Sequence, residues 1–174
     1  MRKLSVLFIV VFVLSLTFGS AFAATYPHKE GKVEITIPDT WKVTTEGNNM
    51  RVEAKGEEGK ADDDIAMDIE LVSADNLEKS LDETDKLITK QLGEIVSEKT
   101  GEVELNGMKT YIEDFKTKDG KYEVSVALIL TPAQKFLCLY YYANPQASAK
   151  YEKDVQAILQ SIKPLKEAEG FEKK

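Results

Sequence analysis

Hydrophobic and polar positions alternate in short runs along most of this chain. Val33, Ile35 and Ile37 are separated by polar residues, which is the period of a strand with one buried face. Pro38-Asp39 closes that strand with a turn, since proline fixes φ and has no N–H to donate. Trp41, Val43 and Thr45 predict a second strand. Gly47-Asn48-Asn49 predicts a hairpin, and Met50, Val52 and Ala54 a third strand. Gly56 to Asp64 reads as a charged loop, followed by a fourth alternating strand at Ile65, Met67, Ile69 and Leu71. The period then lengthens. Leu77, Leu81, Ile88, Leu92 and Val96 fit a helix from about Asn76 to Val96, with Asp75 and Glu78 as a capping box and Gly93 weakening the last turn.

Strand signals resume at Val103 and Leu105. Asn106-Gly107 is the strongest short hairpin signal, and Met108 to Thr117 is the returning strand. Lys118-Asp119-Gly120 turns the chain again. Tyr122 to Leu130 and Phe136 to Ala143 are apolar on both faces, as expected of central strands covered on both sides. Asn144-Pro145 ends the last strand. A second helix places Tyr151, Val155, Ile158, Leu159 and Ile162 on one face and stops at Pro164. Strands joined by hairpins, with two helices, predict an antiparallel sheet in an α+β domain.

The N-terminus carries a different pattern. Arg2 and Lys3 precede the apolar run Leu4 to Leu16, Gly19-Ser20 breaks it, and Ala21-Phe22-Ala23 has the small-x-small form of a cleavage site. This is the order of a secretory signal, cut after Ala23, with an uncleaved N-terminal anchor as the alternative. The expected organisation is a signal at 1–23, one domain at 24–163 and a charged tail at 164–174. The expected location is periplasmic or secreted, in a bacterial envelope, with a soluble mature protein. Ala24, rather than a lipid-attachment cysteine, follows the cleavage site.

Charge narrows the partners. The chain has 23 Lys and Arg against 30 Asp and Glu. Two of the basic residues lie in the signal, so the mature part is more acidic still. Nucleic acid and anionic lipid are disfavoured as partners. The single cysteine, Cys138, excludes an intrachain disulfide.

The chemistry-bearing residues are few. His28 is the one histidine, and it precedes the first recognised strand, so it reads as a solvated residue on a terminal segment. Nucleophilic triads need a histidine held beside the nucleophile, and structural zinc needs four Cys or His ligands. HExxH, GxSxG and GxxxxGK[ST] do not occur. Cys138 lies among Phe136, Leu137 and Leu139 and reads as a buried, unreactive thiol. Asp62-Asp63-Asp64, preceded by Glu57 and Glu58, forms a solvated loop in one reading and a weak calcium site in another. Trp41 and Tyr140-Tyr141-Tyr142 are core residues in one reading and a binding groove in another, with Tyr140 and Tyr142 sharing a face. Paired carboxylates remain open as a hydrolytic site.

The stretch Val33-Glu34-Ile35-Thr36-Ile37-Pro38-Asp39-Thr40-Trp41-Lys42 resembles the opening strand and P-x-x-W turn of PsbP/Mog1-type domains, among them DcrB-like and PsbP-like envelope proteins. The Leu105-Asn106-Gly107 hairpin and the closing Ile158-Leu159-Gln160-Ser161-Ile162-Lys163 are similar too. The resemblance implies an antiparallel β-sheet flanked by helices, an α-β-α sandwich, and an accessory or adaptor role, without a shared reaction or a catalytic motif. The expectation from sequence is therefore an exported, non-enzymatic binding protein with a protein partner in the envelope. No catalytic, cofactor or metal residue is assigned. A small carboxylate-based hydrolase and a weak calcium-dependent binder are the alternatives.

Overall fold

The computed structural model describes residues 23–56, 61–73 and 77–166. Two antiparallel sheets form. The first has three strands, β1 (Ala23–His28), β2 (Val33–Pro38) and β10 (Lys163–Pro164), with β2 in the middle. The second has seven strands in the order β3-β4-β5-β9-β8-β7-β6. These are β3 (Trp41–Glu46), β4 (Asn49–Lys55), β5 (Ala61–Ser73), β6 (Ile95–Leu105), β7 (Met108–Thr117), β8 (Glu123–Leu130) and β9 (Lys135–Ala143). Helix α1 (Leu77–Leu92) joins β5 to β6, and α2 (Pro145–Ser161) follows β9.

The turns form where local chemistry dictates them. Asn106 and Gly107 have φ of 49° and 80°, the two left-handed positions of a type I′ hairpin. Gly47 alone is left-handed in the β3–β4 turn, at φ 60°. Asn144 caps α2, its side-chain oxygen accepting from Gln146 N and Ala147 N, and Pro145 stands in the first turn, where a missing N–H costs nothing.

Each face of the large sheet has its own core. On one side α2 and β2 pack over Val52, Ile65, Met67, Ile69, Ile129, Leu137 and Leu139, with Val155 and Ile158 of the helix inserted. On the other, Ile88 of α1 meets Val72, Phe115, Val124, Val126, Leu128 and Cys138. Strands β8 and β9 contribute to both cores, in keeping with their two-sided apolar sequences. Helix, sheet and helix give the expected sandwich, with the small sheet added on the α2 side.

Four details depart from the sequence reading. Residues 23–28 are not a loose terminus: they pair with β2 from Ala23↔Pro38 to His28↔Val33. The helix ends at Leu92 rather than Val96. Gly93 takes φ 92° and its N–H reaches Thr89 O at 3.0 Å, so the glycine terminates the helix, and Val96 belongs to β6. The charged loop is shorter than expected, because β5 begins at Ala61, paired with Lys55 beyond a bulge. Finally, Pro164, expected to begin the tail, is strand: with Lys163 it pairs with Val33 and Glu34, and Leu165 N–H reaches Lys32 O at 2.8 Å. Asp75, Glu57, Glu58 and residues 167–174 lie outside the described residues.

Among the described residues one buried side-chain polar atom is left over. The hydroxyl of Tyr141 faces α2 beside Ser148, without a hydrogen bond of good geometry to it. Burial pushes this phenol up to about 12. Removing an unsatisfied buried hydroxyl recovers its desolvation cost, so Tyr141→Phe is expected to be neutral or to stabilise by up to about 1 kcal/mol. Urea denaturation reads this directly, and a loss of stability would show that the hydroxyl is bonded in solution.

Candidate functional site

His28 is buried, 7% exposed, at the end of β1. Gly31 N–H donates to its Nδ1 at 3.1 Å, so Nε2 carries the proton and donates to Asn48 O at 2.9 Å. The ring thus fastens the β1–β2 turn to the β3–β4 turn. This corrects the expectation of a solvated histidine, and the cause is the pairing of β1 on β2. A methyl group added at Gly31 would stand 3.1 Å from Nδ1 and 3.3 Å from Leu71, so this turn is closely packed around the ring.

Trp41 is 3% exposed and packs edge-on against Tyr151 of α2, with ring centroids 5.6 Å apart. Its indole N–H donates to Asp154 at 3.1 Å. It is a core residue fixed to a helix, not a groove wall. Cys138 is buried in the α1-side core, as expected. In the acidic run, Asp64 stands in strand β5 rather than in a loop, and residues 62 and 63 share that strand. Among the described residues no three His, Cys, Asp or Glu side chains are placed to hold a metal ion.

The tyrosine run divides. Tyr140 and Tyr141 are buried, and Tyr142 is half-exposed. Tyr140 and Tyr142 do share a face, with centroids 6.1 Å apart, and Tyr122 meets Tyr142 edge-on at 6.2 Å. On the same face lies a polar network that the sequence did not reveal. Arg51 of β4 donates from Nε to Glu53 at 3.0 Å, from Nη1 to both Asp68 oxygens at 2.9 and 3.1 Å, and from Nη2 to the Tyr142 hydroxyl at 3.0 Å. Lys42 of β3 approaches Glu53 at 3.8 Å. The registers Arg51↔Asp68 and Asp68↔Tyr140 carry the network across three strands. Helix α1 leaves the far end of β5 and crosses toward β6. Over β4 and the near part of β5 the side chains stay half-exposed, Arg51 at 40% and Asp68 at 30%.

The electrostatics follow from this geometry. Burial alone would lower the Arg51 guanidinium, but Glu53, Asp68 and Tyr142 more than offset it and raise it. Burial lifts the Asp68 carboxyl above the ordinary aspartate value, opposed by Arg51 and reinforced by the Glu53 charge. Burial, then the Asp68 charge, push the Tyr140 phenol up to about 12. Elsewhere, burial raises Asp85 on α1, with Glu113 and Asp82 adding like charge.

Asp114 of β7, on the α2 side, gives a pH-dependent test. Burial raises its carboxyl, while the Ser125 hydroxyl, donating at 2.7 Å, and the Lys99 charge oppose this. A carboxyl raised in the folded state binds its proton more tightly than in the unfolded chain. Its charged form therefore costs stability at neutral pH, and the cost disappears as pH falls through the folded value toward the ordinary one. Asp114→Asn keeps an acceptor for Ser125 without the charge. We expect it to raise Tm by a few degrees at pH 7, with the gap closing on acidification. Thermal melts across pH 4.5–7.5 check this, and a lower Tm whose deficit ignores pH would contradict it.

No protein-family profile matches the chain, and no curated protein matches it in sequence. Solved structures do match. The solution structure of the PsbP of the cyanobacterium Synechocystis sp. PCC 6803 superposes with a TM-score of 0.57 at 10% identity, covering 86% of this chain and 96% of that one. LpqN of Mycobacterium tuberculosis, described as involved in cell envelope biogenesis, gives 0.53 at 14% identity, over 83% and 86% of the two chains. A Bacteroides thetaiotaomicron crystal structure gives 0.51 at 12% identity, over 84% of this chain and half of that one. The chain has a PsbP-like fold. At these identities the likeness is one of architecture.

Proposed function

We propose that this is an exported, non-enzymatic accessory protein of the bacterial cell envelope that acts by binding a protein partner. One observation carries the reading: the side chains with distinctive chemistry are occupied in holding the fold together. His28 fastens two turns, Trp41 and Asp154 join sheet to helix, Cys138 lies in the core, and Asp114 is tied to Ser125. What remains available for function is surface. The leader-like N-terminus supports export, and the fold shared with an envelope-biogenesis protein supports the compartment.

Two measurements test this. Intact mass of protein recovered from the host's envelope fraction should correspond to a chain starting at Ala24; a retained leader would overturn the exported, soluble reading. Crosslinking in intact cells should then capture a partner that rebinds the purified mature protein in isolation. Turnover of an ester, peptide, phosphate or glycoside substrate, abolished by one carboxylate-to-amide change in a folded variant, would instead make it an enzyme.

A further inference from the structure

The Arg51 network selects its own ligand by what it has already used. Arginine forks recognise carboxylates and phosphates, but here the fork is filled by Asp68 and Glu53. Those carboxylates would recognise a cation, but Arg51 and Lys42 already neutralise them. Within the network itself two positive and two negative side chains balance. An ion of either sign gains little there.

What stays free is neutral hydrogen bonding beside aromatic surface. Tyr142 accepts from Arg51 through its oxygen, so its own O–H remains able to donate. Arg51 Nη2 carries a second N–H, and among the described residues it has no partner. The carboxylate oxygens keep lone pairs beyond those facing Arg51. Tyr122 and Tyr142 add half-exposed rings set edge to face. The four bonds from Arg51 hold these groups in place before any ligand arrives, which limits the entropy lost on binding.

We propose that this patch, built on Arg51, Asp68, Glu53, Tyr142 and Tyr122, is a binding site for a neutral saccharide. Sugar hydroxyls both donate and accept, and their C–H faces lie on aromatic rings. A pyranose therefore matches the free valences and the rings together, without bringing charge. The site goes beyond the protein-partner reading and stands or falls separately from it.

The test is a titration of the full mature protein with maltotetraose, cellotetraose and chitotetraose, following tyrosine ring signals by NMR. At least one should shift the Tyr122 and Tyr142 resonances saturably, with Kd on the order of 1 mM, as expected of an exposed patch. Tyr142→Phe keeps the ring and removes the donor, so it should weaken binding about three- to tenfold. Tyr122→Ala removes a ring outside the charged network and should weaken it as well. Both variants should keep the wild-type fold by circular dichroism. Three outcomes would overturn the site: no saturable shift in the folded wild type with any of the three sugars, unchanged affinity in both folded variants, or tighter binding of a lysine-rich peptide or an acidic sugar to the same residues.

Discussion

Trp41→Ala is expected to lower the stability of this domain by about 3–5 kcal/mol, the range for truncating a buried aromatic. Three losses act together. The indole is almost fully buried where β3 begins, so its removal opens a cavity between the sheet and α2. The edge-on contact with Tyr151 goes, and such pairs contribute about 0.5–1.5 kcal/mol beyond burial. Asp154 loses its indole donor and keeps the longer bond from Thr40, at 3.3 Å. Trp41→Phe separates these effects. It keeps most of the apolar volume and loses only the N–H, so it should cost about 1–2 kcal/mol. Denaturant midpoints for the three proteins check the ordering. A near-zero effect of Trp41→Ala would mean that the ring is exposed in solution, and would return it to the list of binding-surface residues.

The parts of this fold legible in the sequence are those set by short-range pattern. Strands β8 and β9 are apolar on both faces because both cores need them, so their central place could be read from composition alone. The Asn106-Gly107 turn could be read because few residues tolerate two left-handed positions in succession. What escaped was non-local. Residues Ala23 to His28 contain Pro27 and lack clear alternation, and they become a strand only because β2 offers an edge. Val96 sits at helical spacing by coincidence, and one left-handed glycine decides the boundary. The Arg51 network was hidden for a stronger reason. Arg51, Glu53 and Asp68 were visible only as polar residues at the outward positions of alternating strands, and Tyr142 only as one of a tyrosine run. Asp68 is 17 residues from Arg51 and Tyr142 is 91, so the network exists only once the register of the sheet is known. The lone histidine was missed for the same reason: placed on a terminal segment by sequence, it serves as a clasp between two turns that only the folded chain brings together.

Asn106 was recognised for its backbone, and its side chain proves to matter as much. Its Nδ2 donates to Gln160 O at 2.8 Å and to Ile162 O at 2.7 Å, carbonyls that the end of α2 leaves without helical partners. The β6–β7 hairpin thus caps the final helix, joining the last sheet edge to the chain's closing segment. Asn106→Ala loses both bonds and forces a residue with Cβ to keep φ of 49°. With each bond contributing about 0.5–1.5 kcal/mol and the left-handed conformation costing about 1 kcal/mol, the expected loss is about 2–3 kcal/mol. Asn106→Gly removes the bonds but relieves the backbone, so it should cost about 1–2 kcal/mol. Asn106→Asp tolerates the backbone but turns carboxylate oxygens toward two carbonyls and donates nothing, so at neutral pH it should be at least as damaging as alanine. The order wild type, Gly, Ala, Asp, read from denaturant midpoints at pH 7, would establish the cap. If glycine matches wild type, the side-chain bonds contribute nothing and Asn106 is only a turn residue; if aspartate matches wild type, the two carbonyls do not face this side chain in solution.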